Sequence, residues 1–204
     1  MARLKTKWNL QERQRSPEDV ASVIAFNLWV LAADSCLFLE NEGFETRSQS
    51  QRLDVIAEFT ALGAHVADRM VFDTMTASER ELFINSLGQH LANTMQTNRE
   101  EACGTGNYRK DFIDLLNCRM DEFCQCSYSE EHGPGFPMRR LAANHVQAVM
   151  GEKDNKWIPD YVIDSEIPKL LLGLKKVFRG QKASLDEADF SPPPIPESGV
   201  WGEE

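Results

Sequence analysis

Positive charge is scarce in this chain. Its 204 residues hold 22 Lys and Arg against 32 Asp and Glu, a formal net charge of −10. A chain of that sign is repelled by phosphate backbones, so nucleic acid is not expected as a partner. The cations that do gather sit at the N-terminus, as Arg3, Lys5, Lys7, Arg13 and Arg15. They form a short polar arm suited to an acidic contact. Cysteine is sparse and odd in number: Cys36, Cys103, Cys118, Cys124 and Cys126. A chain of this length can bury a core without staples, so the thiols read as unpaired and the compartment as reducing and cytoplasmic.

Catalytic motifs are missing as well. There is no G-x-S-x-G, and no Ser or Cys is marked as a nucleophile by its context. No Glu-x-x-His occurs, which removes the usual di-metal bundle signature. Cys124 and Cys126 have no second pair at zinc-site spacing, and two residues of separation on a helix turn the thiols to nearly opposite faces. The Gly-Thr-Gly at 104–106 lacks the strand and the remaining glycine of a dinucleotide fingerprint. No catalytic residue, metal or cofactor is therefore assigned.

Helix signals are plentiful. Ser16-Pro17-Glu18-Asp19 combines an N-cap, a proline at the first helical position and a reciprocal acid. With no Pro or Gly before Gly43, the first helix is predicted over 17–41. A second is predicted over 49–74, where Gly63 suggests a close neighbouring helix. A third starts at Thr76 with Glu79 closing its capping box and is predicted to fade into the Gly-containing stretch from Asn98. The fourth covers 107–126, the fifth runs from Pro137 to Gly151, and a short helix from Pro159 is expected to restart at Ile167-Pro168 and end at Gly180. No segment alternates like a strand for long. The predicted fold is all-α: a single-domain bundle of about six helices over 16–181, with the apolar first helix at its centre. A polar basic arm (1–15) precedes it and an acidic Pro-rich tail (182–204) follows it.

The first helix is long and apolar enough to raise a membrane span. Asn27, Asp34, Ser22 and Ser35 within it, and Glu18 and Asp19 abutting it, argue against a span or a signal peptide. At 100° per residue, Val20, Ile24, Asn27, Leu31, Asp34 and Phe38 fall near one line, predicted to be the buried centre. Asp34 would then need a partner, since a buried lone carboxylate is costly. His145 sits among apolar positions on the fifth helix. His65 and Glu58 read as part of a solvated polar face on the second.

Two functions compete. The favoured one is a non-enzymatic interaction protein, an adaptor, assembly factor or complex subunit. It would dock on a protein partner or a second copy through Phe190, Pro192, Pro193, Pro194, Ile195 and Trp201 of the tail. The alternative is a small-ligand or metal-binding bundle with Asn27, Asp34 and His145 lining an interior polar site. An interior site should bring those three together around a cavity. An interaction protein should carry its apolar exposure on the outside.

Overall fold

Ser16 caps the first helix as the sequence suggests. In this computed structural model its backbone is extended, and its hydroxyl accepts from the Asp19 N–H while the Asp19 carboxylate accepts from the Ser16 N–H at 3.3 Å. The structure describes residues 16–151 and 155–186. The basic arm and the tail residues Phe190, Pro192, Pro193, Pro194, Ile195 and Trp201 lie outside the described residues. From that cap α1 runs Pro17–Asn41, followed by α2 (Gln49–Val71), α3 (Ala77–Cys103) and α4 (Tyr108–Cys124). The turn after α4 holds a two-residue antiparallel pair, β1 (Tyr128–Ser129) and β2 (Gly133–Pro134), with Gly133 at φ +74°. Then come α5 (Phe136–Met150), α6 (Ile158–Tyr161) and α7 (Ile167–Asp186).

The fold class is all-α, a single bundle with almost no strand among the described residues. Three local expectations change. The third helix does not fade near 98 but continues to Cys103, and only Gly104, at φ +84°, ends it. Pro168 does not restart the last helix at a new angle. A π-turn over Val162–Glu166 joins α6 to α7, and the Ile167 N–H donates to the Val162 carbonyl five residues back. That wider turn accommodates a ring with no N–H to offer and a clash with the preceding turn. Gly180 does not stop α7, which passes through it to Asp186.

The first helix lies at the core, against α2, α3 and α7. Gly63 of α2 lets it in: a Cβ there would collide with the Leu28 side chain. Gly173 plays the same part for α7 against Leu31. The helix enclosed around its whole circumference, however, is α2, buried without a break from Ala57 to Asp68. It is packed by α1, α3, α4, α5 and α7. The buried face of α1 is Ala21, Ile24, Leu28, Ala32, Cys36 and Leu39, rotated from the predicted line, so that Asp34 and Phe38 face solvent.

Candidate functional site

The outer side of α1 is the most unusual surface among the described residues. Opposite the buried face, Phe26 is 71% exposed, Leu37 51% and Val30 43%; Phe38, at the edge, is 44% exposed. At helical spacing, 26, 30 and 37 make one stripe. Asp34 sits beside them, exposed. α1 carries no Lys or Arg anywhere along its length. The stripe is therefore apolar with an acid in its middle. α1 is also the one helix among the described residues long and apolar enough to cross a membrane, by length and composition.

Asn27, Asp34 and His145 stay apart. Asn27 is half-buried and spends its amide on the carbonyl one turn back, Nδ2 donating to the Val23 oxygen at 2.8 Å. The expectation that Asp34 is buried with a neutralising neighbour is overturned by its exposure. The physical reason is that α2 and α3 take the 21–28–32–39 side of α1, about a quarter-turn from the predicted line. His145, on α5, reaches Glu122 of α4, with Nε2 2.7 Å from Oε2.

Most of the buried polar residues are on α2 instead, the others among the described residues being Ser35 of α1 and Glu166 just before α7. Glu58 and Asp68 are almost wholly buried and His65 entirely so, contrary to the expected solvated face. Each carboxylate takes an arginine in a two-pronged pair. Arg119 of α4 donates to Glu58 at 2.7 and 2.8 Å, and Arg80 of α3 to Asp68 at 2.7 and 2.5 Å. Arg119 also reaches Glu122 at 3.3 Å, which links Glu58 through Arg119 and Glu122 to His145. His65 stacks near Phe123, ring centres 5.6 Å apart, with neither ring nitrogen hydrogen-bonded. Burial, reinforced by the nearby Arg69 cation, pushes its pKa down to about 4. The small residues Ala57, Ala61, Gly63, Ala64 and Ala67 are the available signal that this helix is closely surrounded, and they outweigh a polar pattern one face wide.

A second feature lies where α2 ends, the β1–β2 turn passes and the middle of α7 approaches. Two adjoining hollows of about 350 and 330 Å³ share Arg69, Asp73 and Glu130. Phe72 and Tyr128 line the first; Met70, Phe178, Lys175 and Arg179 line the second. Glu130 and Asp73 hydrogen-bond side chain to side chain, which holds the Glu130 carboxyl above its ordinary range. Burial pushes the Tyr128 hydroxyl up as well. The Arg69 Nε is buried with no partner.

No known family claims this arrangement. No protein-family profile matches the chain, no curated protein is similar to it, and no solved structure matches it. The reading therefore rests on the geometry.

Among the described residues, no three His, Cys, Asp or Glu side chains converge where a metal ion would be held. All five cysteines are free; Cys103, Cys118 and Cys124 are exposed. Cys36 is buried, and desolvation pushes its thiol up to about 12, so it behaves as a small apolar side chain. The paired charges Glu58–Arg119 and Asp68–Arg80 tie α2 to α4 and α3, His65 is buried beside them without a hydrogen bond, and an apolar stripe is exposed on the outside of α1.

Proposed function

We infer that this protein is a non-enzymatic helical interaction protein of the cytoplasm, an adaptor, assembly factor or complex subunit. The observation that carries the reading is the exposed stripe of Phe26, Val30 and Leu37 on α1. Contiguous apolar exposure on a folded domain marks an interaction surface. Covering these side chains contributes roughly 1.5–3 kcal/mol for each one fully buried. The occupant that fits is an amphipathic helix of a partner protein, apolar along the stripe and offering a Lys or Arg to Asp34. Charge complementarity argues for the cation, since α1 carries only acids. The acidic Pro-rich tail is a second docking element, through Phe190, Pro192, Pro193, Pro194, Ile195 and Trp201, on this domain or on the partner.

The interior-site alternative asks for Asn27, Asp34 and His145 around one cavity. An exposed Asp34, and a His145 engaged by Glu122, favour the interaction reading instead. The test is the Phe26→Ser/Leu37→Ser double variant, compared with the natural chain by light scattering and by pull-down from the native source. We expect the variant to keep its helical circular dichroism and lose its partner. Undiminished partner recovery would sink this reading. Removal of residues 183–204 is expected to leave the bundle intact and weaken association further.

A further inference from the structure

The cleft at the end of α2 is a built surface that the α1 stripe does not explain. Its floor is apolar and aromatic, from Met70, Phe72 and Phe178. Its rim carries Arg69, Lys175 and Arg179, none of which has an ion-pair or hydrogen-bond partner among the described residues. Three unengaged cations around one hollow are conspicuous in a chain of net charge −10. Asp73 and Glu130 also line it, hydrogen-bonded to one another, and the three cations outnumber them. An aromatic floor with a cationic rim fits an extended peptide that alternates Pro or aromatic residues with acids.

A peptide of that composition follows α7 in the sequence. Lys169 lies over the Phe38 ring at 4.0 Å and Gly173 lies against Leu31, so α7 runs antiparallel to α1. The C-terminal end of α7 therefore comes out level with the start of α1 and the end of α2, the same end of the bundle as the cleft. The residues that follow, 187–197, read EADFSPPPIPE: three acids, no base, four prolines, one Phe and one Ile. α7 continues past Arg179 for about two turns, roughly 10 Å. Residues 187–197 can extend to about 36 Å, enough to turn back and cross the cleft.

We propose that the cleft is the docking site for the chain's own segment 187–197, held in an extended, polyproline-type conformation. The acids meet Lys175 and Arg179, and Phe190 and the prolines lie on Phe72 and Phe178. Attachment to α7 makes the effective concentration of the segment high, on the order of mM, so a weak site is filled. Trp201 then projects beyond the cleft, available to a partner. The inference rests on the reading of the tail as a docking element and adds the surface that receives it.

Zero-length carbodiimide cross-linking of the full-length protein tests this, with the joined peptides mapped by mass spectrometry. Lys175 is expected to join Glu187, Asp189 or Glu197 within a single chain. Arg179→Glu, a change at an exposed position, is expected to lower that yield about five-fold, the scale of one exposed ion pair. The Lys110–Asp114 pair, 2.5 Å apart on the surface of α4, serves as the internal control and should cross-link equally in both proteins. Links from the tail acids only to Lys5 or Lys7, links found only between two copies, or a yield unmoved by Arg179→Glu would each overturn the proposal. Loss of partner in Phe26→Ser/Leu37→Ser alongside an absent Lys175–tail link would reject the cleft while leaving the α1 contact face standing.

Discussion

α1 and α2 invert what their compositions suggest. α1 is the greasier helix, yet one whole side of it, Phe26, Val30 and Leu37, faces water. α2 carries Glu58, His65, Asp68 and Arg69, yet is buried on every side through its middle. Position in the bundle, not apolar content, decides which helix is enclosed. A helix with five packed neighbours buries its polar residues, and its carboxylates Glu58 and Asp68 receive arginines from two of those neighbours. A helix with three keeps an apolar face in solvent.

The comparison breaks hardest at the charge pairs of α2. Arg119→Ala leaves Glu58 buried without its two-pronged partner and is expected to destabilise the fold by about 3–5 kcal/mol, read by urea denaturation. Glu58→Leu combined with Arg119→Met should recover most of that loss, because apolar residues of similar volume replace a buried pair at little cost. A loss under about 1 kcal/mol in Arg119→Ala would mean that Glu58 is hydrated and α2 less enclosed than described.

The two faces of α1 offer the next contrast. Leu28→Ala, on the fully buried face against Gly63, is expected to cost about 2–5 kcal/mol. Phe26→Ser, on the other side of the same helix, should change stability by less than about 0.5 kcal/mol. Equal costs would remove the distinction between the faces.

His65 sharpens the same point through pH. Folded His65 stays neutral down to about 4, whereas an exposed histidine protonates near 6.5. The unfolded chain therefore binds the proton first, so stability is full above pH 6.5 and falls as the pH drops toward 4. The loss attributable to His65 between pH 7 and pH 4 is about 3 kcal/mol. It is isolated as the difference in pH slope between the natural chain and His65→Leu. Identical slopes would place the ring in contact with water.

The smallest effect is expected at Asp34. Asp34→Ala should alter stability by no more than about 0.5 kcal/mol while weakening association with a basic partner surface. A large loss of stability would restore the carboxylate to the interior.

Much of the local architecture is legible in the sequence because its causes are local. The Ser16 and Thr76 capping boxes announce the starts of α1 and α3. Gly151, at φ +88°, ends α5 where expected. Gly63 signals the close approach that Leu28 makes. Legibility stopped where a position's meaning depended on a distant segment. The line through Asn27 and Asp34 on α1 is a good apolar stripe by periodicity, but a helix apolar nearly all round has no preferred face until neighbours choose one. His65 and Glu58 read as a surface because no single segment shows that Arg119, sixty-one positions along from Glu58, arrives to pair with it.

The chain's own residues determined that it is helical, where its main helices start, and that no metal, nucleotide or nucleophile motif is written into it, because caps, turns and periodicity act within a few residues. Which side of α1 meets water, which charges are buried, and that α7 runs alongside α1 to line the cleft at the end of α2 were decided by packing. Those outcomes depend on contacts between segments far apart in the chain, which burial and charge pairing select only once the whole bundle has closed.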